Sequence, residues 1–267
     1  MKLRGKVAIL TGAAGGIGVT TARAFAREGA HVVLADLEST RPTLEALASQ
    51  LGHGQIRAIA TPTDITQRPQ IDRLVNETLR TFNRIDILAN IAGVGSSPSL
   101  ADCTDAEIEQ VILVNLLGSA RMIHAVLPAM KAQRSGRIIN IGSVASQGGV
   151  MGIYSASKFG LRGLTDSVRR EVRSLGIGVT LIDPGFVATQ MNAAMKNLPK
   201  PDIVASAAVR AAVHPRRHMI VPASYQLPVL LVKAFPGLTD LVFGHPRIQE
   251  RLNRDSRAAR SAKSTGA

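Results

Sequence analysis

Short, almost wholly apolar runs recur along this chain, separated by longer stretches of helical spacing. Val32-Val33-Leu34 and Ile138-Ile139-Asn140-Ile141 are two of them. A strand sends successive side chains to opposite faces, so a run this apolar must be buried on both. Strands are expected at 6–10, 31–34, 55–61, 85–90, 137–141 and 178–182. Helical patterns lie between them at 16–28, 43–50, 69–82, 106–130 and 154–175, the fourth ending near Pro128. In 69–82, Ile71, Leu74, Val75 and Leu79 share one face. This alternation predicts an α/β fold, a doubly wound parallel sheet with helices on both faces. Residues 1–225 read as one domain and 226–267 as an apolar, then basic, extension.

Composition narrows the setting. At 267 residues, 45% hydrophobic and 19% charged, the chain can bury a proper core. Its one cysteine, Cys103, excludes an internal disulfide and a Cys-clustered zinc site, so a reducing cytoplasm is expected. Met1-Lys2-Leu3-Arg4-Gly5-Lys6 does not read as a signal peptide, because the apolar run behind it is short. Neither His214 and His218, with Pro215 between them, nor the other histidines form a metal-ligand pattern, so no metal is expected.

The net charge of +13 suits nucleic acid, an anionic membrane or anionic substrates; a solvated basic surface is the default reading. Aromatics are only 3%, poor material for base stacking, so no nucleic-acid partner is expected. The apolar stretch 227–243 is expected to be broken by Pro228 and Pro236 and holds Lys233 and Asp240, which makes a poor membrane span. Packing against the protein's own body is its plainest use; a lid, an oligomer contact and an interfacial membrane helix are alternatives. Residues 246–267 hold Arg247, Arg251, Arg254, Arg257, Arg260 and Lys263 against Glu250 and Asp255, a net charge of +4.

Thr11-Gly12-Ala13-Ala14-Gly15-Gly16-Ile17-Gly18 joins the first strand to the first helix. Glycine lets backbone approach a pyrophosphate, and a helix start offers free N–H groups and a positive dipole end. Eighteen residues past Gly18, Asp36 ends the second strand. A carboxylate there accepts hydrogen bonds from ribose hydroxyls and repels a 2′-phosphate. The nearest cation after Asp36 is Arg41, so NAD is favoured over NADP.

With these residues in place, the chain resembles a single-domain short-chain dehydrogenase/reductase from about residue 6 to residue 189. That resemblance implies a Rossmann-like sheet, expected to have seven strands, and a cofactor site built on Gly12, Gly16, Ile17, Gly18 and Asp36. Asp64-Ile65 resembles the adenine-contacting acid and its neighbour. Asn90-Ile91-Ala92-Gly93 is similar to the family's Asn-Asn-Ala-Gly, with Ile91 in place of the second Asn. Asp183-Pro184-Gly185-Phe186-Val187-Ala188-Thr189 resembles the segment after the sixth strand. The resemblance puts Val187 and Thr189 at the nicotinamide carboxamide, and Pro184 and Gly185 beside them.

Tyr154 and Lys158 stand at i,i+4 in a helical run, on one face. A phenol is a poor base near neutrality, and a neighbouring ammonium is expected to lower its pKa. Ser143 follows the fifth strand and can hydrogen-bond a substrate oxygen. The resemblance makes Ser143, Tyr154 and Lys158 catalytic and gives Asn115 a water in a proton relay to Lys158. Ser143 lies 11 residues before Tyr154, about two fewer than the family pattern, and Ser146 is a weaker substitute.

Met191, Ala193, Ala194, Met195 and Leu198 resemble a short, greasy substrate lid, with Met151, Ile153 and Phe186 near the site. The expected function is NAD-dependent hydride transfer to or from a hydrophobic secondary alcohol or ketone: lipid-, steroid- or alicyclic-like. The alternatives are an NADPH-dependent acyl ketoreductase, whose basic surface would suit an acidic carrier, and a non-catalytic cofactor-binding protein docking through its basic C-terminal region. A homodimer or homotetramer is expected.

Overall fold

The computed structural model describes residues 1–96, 99–193, 195–248 and 250. Its strands are β1 (Val7–Thr11), β2 (His31–Ala35), β3 (Ala58–Ala60), β4 (Ile87–Asn90), β5 (Gly136–Ile141), β6 (Ile177–Pro184) and β7 (His218–Val221). The helices are α1 (Gly16–Arg27), α2 (Arg41–Leu51), α3 (Arg68–Phe82), α4 (Asp105–Ile112), α5 (Ser119–Gln133), α6 (Ala145–Gly148), α7 (Gly152–Val172), α8 (Asp202–Val213), α9 (Gln226–Ala234) and α10 (Pro236–Phe243).

All seven strands pair in parallel, in the order β3-β2-β1-β4-β5-β6-β7. The order reverses between β1 and β4. An open α/β sheet binds ligands outside its strand C-termini at such a switch point. Register aligns the ends: Thr11 stands opposite Asn90, and Asn90 opposite Asn140.

Alternate strand residues feed two cores. Ala8, Leu10, Val32 and Leu34 pack with Phe25 of α1, Leu44 of α2 and Ala208 of α8. Ile9 and Val33 pack with Ile71 and Leu74 of α3, Val126 and Met130 of α5, and Val168 of α7. Full burial of a side chain such as Leu74 is worth about 1.5–3 kcal/mol, well above helix-propensity differences. Packing against the sheet therefore decides where the helices lie.

Three expectations change. The 106–130 helix is α4, a π-helical turn (Leu113–Gly118) and α5, which continues through Pro128 to Gln133. Pro128 and His124 both face solvent, so the carbonyl that loses its N–H partner is open to water. Asp105–Gln133 is long and apolar enough to cross a membrane, but Met122, Ile123, Val126 and Met130 are buried in the protein's own core. The third strand shrinks from seven residues to Ala58–Ala60. Pro228 does not break the C-terminal apolar stretch; it sits in the first turn of α9, and Pro236 starts α10.

Candidate active site

The C-terminal edge of the sheet gathers the residues singled out above. Gly12 has φ +65°, and a Cβ there would stand 2.7 Å from Ala92 N and Cα. A Cβ on Gly18 would meet Gly12 O at 2.0 Å. The Thr11 hydroxyl accepts from Ile91 N (3.1 Å) and Ala92 N (3.3 Å), tying β1 to the segment after β4. No side chain caps α1, and its first turn holds no acid. Its opening N–H groups and positive dipole end are therefore not already matched by a carboxylate.

Asp36 closes the adenosine side. Its Oδ2 accepts from Ala14 N (2.9 Å) and its Oδ1 from Leu37 N (2.8 Å). Asp64 Oδ1 accepts from Thr66 N (2.8 Å), and Ile65 is buried against the π-turn, 2.7 Å from where a Gly118 Cβ would stand. Asn90 Nδ2 donates to Asn140 Oδ1 (2.9 Å), linking β4 to β5, while its buried Oδ1 has no partner. Thr189 comes back towards the glycine loop, its Cγ2 3.3 Å from where a Gly16 Cβ would be. Val187 is buried, and Asn192 Nδ2 donates to its carbonyl (2.9 Å). Gly185 faces the Tyr225 ring, which leaves no room for a Cβ, and Pro184 ends β6.

On the other side of the switch point, Gly93 lies between Asn115 and Lys158. A Cβ there would stand 3.2 Å from Asn115 Oδ1 and 3.5 Å from Lys158 Nζ. Asn115 is fully buried in the π-turn. Its Oδ1 accepts from Val94 N (2.8 Å), and its Nδ2 donates to Val94 O (2.9 Å) and Ser157 Oγ (3.0 Å). Lys158 donates from Nζ to Ile141 O (3.0 Å) and is buried, which pulls its pKa down to about 8 against the raising effect of Asp183.

The Ser143 hydroxyl, which also accepts from Ala145 N (3.1 Å), is a side-chain neighbour of the Tyr154 phenol. The phenol pKa is raised, first by burial; the Ser143 hydroxyl opposes this, and the Asp183 charge adds to it. The expected lowering by Lys158 is absent. Its Nζ stands 5.7 Å from the centre of the Tyr154 ring, and burial sets the direction of the shift. Ser146 does not stand in for Ser143, because its hydroxyl is buried and bonds Asp183 Oδ2 at 3.1 Å.

Met191 and Met195 are exposed, and Met191 Cγ lies 3.7 Å from where a Gly95 Cβ would be. Ala194 lies outside the described residues. Cys103 is tied to Ser99 O (3.5 Å). His214 caps the end of α8 while His218 begins β7, so the two share no helix. No group of three or more metal-ligand residues occurs among the described residues.

The uncapped helix start, the glycines that allow close backbone approach, the acid at the end of β2 and the lysine beside Gly93 fit an extended dinucleotide. Comparison with known proteins agrees. Residues 6–199 match the short chain dehydrogenase family. The chain belongs to the short-chain dehydrogenase/reductase family. The ketoacyl reductase HetN of Nostoc sp. is 34% identical over 229 residues, covering 82% of this chain and 79% of that one. A short-chain dehydrogenase/reductase from Burkholderia phymatum, solved in complex with NAD, superposes with TM-score 0.80 at 26% identity, covering 89% of this chain and 96% of that one. Levodione reductase superposes with TM-score 0.74 at 26% identity, covering 82% and 96%. This short-chain dehydrogenase/reductase has the general NAD(P)-dependent oxidoreductase activity of its family.

Proposed function

We propose that the chain is an NAD-dependent oxidoreductase acting on a hydrophobic secondary alcohol or the matching ketone, lipid-, steroid- or alicyclic-like. The observation that carries this reading is the gathering of Ser143, Tyr154 and buried Lys158, its Nζ 5.7 Å from the Tyr154 ring centre, at the C-terminal edge of the sheet. Bound NAD⁺ supplies a hydride acceptor and a positive charge at the nicotinamide. Gly12, Gly16, Ile17 and Gly18 hold its pyrophosphate, Asp36 its adenosine ribose, and Asp64 and Ile65 its adenine. Asn90, Ala92, Gly93, Pro184, Gly185, Val187 and Thr189 line the nicotinamide half.

Ser143 Oγ and the Tyr154 hydroxyl hold the substrate oxygen. Tyr154 takes the alcohol proton in the oxidation direction and returns it to a ketone in the other. Its raised pKa keeps the phenol protonated in the free enzyme, the form needed for reduction. Lys158 binds the nicotinamide ribose and takes part in the proton relay behind Tyr154. Asn115, next to Lys158 across Gly93, carries the proton outward through water.

The ionic neighbours of Asp36 support NAD. Arg41, the nearest downstream cation, is already engaged by Glu38 (2.5 Å) and Glu45 (3.4 Å). A 2′-phosphate at Asp36 would meet a carboxylate and compete for a paired guanidinium. Titration following nicotinamide fluorescence should show NADH binding at least about tenfold more tightly than NADPH, the factor of about 1.4 kcal/mol. Asp36→Ala should narrow that gap. Tighter NADPH binding by the unaltered protein would contradict the assignment. It would favour the acyl ketoreductase reading, which the name of the Nostoc relative supports.

Exposed Met191, beside Gly95, and exposed Met195 support a greasy, adaptable substrate pocket. The solved relative named levodione reductase supports a reductase reading of the same site. Exposed Leu117 and Phe159 support a homodimer or homotetramer.

A cytoplasmic location with peripheral contact at an anionic membrane surface completes the proposal. α9 is held to the body by buried Val229 and by Val232 against Gly148. Leu227, Leu230, Phe235 and Leu241, however, are 64%, 62%, 56% and 72% exposed. In sequence, this apolar stretch is followed by the basic 246–267 segment, of charge opposite to an anionic lipid surface. The full chain should sediment with anionic vesicles, less so with neutral vesicles or in high salt. A Leu230→Asp/Leu241→Asp double variant should sediment less. Equal sedimentation of both proteins with anionic vesicles would overturn the membrane contact.

A further inference from the structure

Asp183 is the last residue but one of β6, behind the reaction centre, and is fully buried. Its neighbours in sequence, Ile182 and Pro184, are apolar, so the strand itself gives no reason for a charge there. Four groups converge on it. Oδ1 accepts from the backbone N–H of Ser143 at 3.0 Å. Oδ2 accepts from the Ser146 hydroxyl at 3.1 Å and from the Gln147 side-chain amide, and lies 2.9 Å from His218 Nε2. Gln147 is held in turn by Arg162 of α7, which donates to its Oε1 at 2.9 Å. Gly142, the residue before Ser143, leaves the space this carboxylate fills: a Cβ there would be 2.0 Å from Asp183 Oδ1.

The segment tied down in this way is the short connection from Ser143 to Tyr154. It contains Gly148, Gly149 and Gly152, two of them at positive φ, and is rich in backbone freedom. Left alone, such a loop would not hold the Ser143 hydroxyl in register with Tyr154. Three consecutive anchors near its start, the Ser143 backbone, Ser146 and Gln147, all end on one carboxylate. An unpaired buried carboxylate is costly, so this arrangement resists partial opening.

We propose that Asp183 is a positioning residue of this site, its buried carboxylate anchoring the glycine-rich Ser143–Tyr154 loop and so setting where the Ser143 hydroxyl stands. The inference rests on the roles given above to Ser143 and Tyr154. The charged and titratable groups around the carboxylate are His218 from β7, Tyr154, Lys158 and Arg162 from α7, and Lys233 from α9. Among these, Asp183 pushes the Tyr154 phenol up and opposes the lowering of Lys158 by burial.

Two readouts test the anchor. Asp183→Ala removes every acceptor and should lower kcat by about a hundredfold, the cost of a misplacement near 1 Å, with NADH affinity kept. Asp183→Asn keeps an oxygen for the Ser143 N–H and should stay within about tenfold of the unaltered enzyme, a graded rescue. The second readout needs no turnover. The chain has no tryptophan and two tyrosines, Tyr154 and Tyr225, so in a Tyr225→Phe background the ultraviolet phenolate signal reports Tyr154 alone. Adding Asp183→Asn should move that titration to lower pH, because a negative charge facing the phenol is gone. An Asp183→Ala kcat within twofold of the unaltered enzyme, or an unmoved titration in Asp183→Asn, would overturn the proposal. If the unaltered protein turned over no alcohol or ketone, the function assigned above would fail while the titration still decided the place of Asp183.

Discussion

Replacing Tyr154 with Phe is expected to lower turnover by about a thousandfold while NADH affinity stays within about twofold. The substitution removes one oxygen and keeps the ring, so the packing against Lys158, 5.7 Å from the ring centre, persists. What goes is the hydroxyl that moves the substrate proton and neighbours Ser143. General acid–base groups contribute about 10²–10⁴ in rate, so an effect below tenfold would show that the proton travels by another route. Steady-state turnover with NADH titration on the same samples checks both halves of the expectation. Ser143→Ala should fall less far, since Tyr154 can still hold the substrate oxygen.

Gly18→Ala is expected to lose dinucleotide binding and a measurable part of the stability together. Its Cβ would stand 2.0 Å from Gly12 O and under 3 Å from Ala13, both backbone, so no side chain can swing aside. Either α1 moves off the sheet or the glycine turn opens. Forcing atoms into a packed core typically costs about 1–3 kcal/mol, and a backbone clash belongs at the upper end. At about 2–4 °C per kcal/mol for a domain of this size, the thermal midpoint should fall by about 6–12 °C. NADH fluorescence titration should show binding reduced at least about a hundredfold. An unchanged midpoint with normal NADH affinity would mean that the tight β1–α1 turn is not required.

Most of the fold was legible because two-sided burial leaves a plain mark. Runs such as Val32-Val33-Leu34 permit few partners other than a sheet covered on both faces. The glycine loop was legible because backbone approach and positive φ restrict the residue, as at Gly12. Local patterns failed where a distant partner sets the outcome. Pro128 breaks a helix in isolation but is tolerated in α5, where the freed carbonyl faces water. β7 is only His218–Val221, too short for periodicity to reveal, and the edge of β6 gives it a place. Spacing placed Lys158 near Tyr154 correctly but could not show that burial would raise the phenol pKa. Asp183 passed as part of a Pro-Gly segment, because nothing local signals that Ser143, Ser146, Gln147 and His218 meet there. The one available sign was a carboxylate in an otherwise apolar strand.

The apolar face of α9 and α10 shows the same limit from the other side. Packing against the body was the plainest reading of 227–243, and it holds for Val229 and Val232. Leu227, Leu230, Leu231, Phe235, Leu241 and Val242 are exposed, a division that sequence alone could not apportion.

The central claim is that Tyr154, Ser143 and Lys158 carry hydride transfer between NAD and an apolar secondary alcohol. Its most direct test is to mix the full chain with NAD⁺ and a panel of aliphatic, alicyclic and steroidal secondary alcohols, follow the absorbance of reduced nicotinamide, and repeat with NADP⁺ and Tyr154→Phe. The account predicts turnover of at least one apolar alcohol with NAD⁺, slower with NADP⁺ and nearly lost in Tyr154→Phe. Turnover confined to NADPH and acyl thioesters, or equal rates from the unaltered protein and Tyr154→Phe, would contradict it.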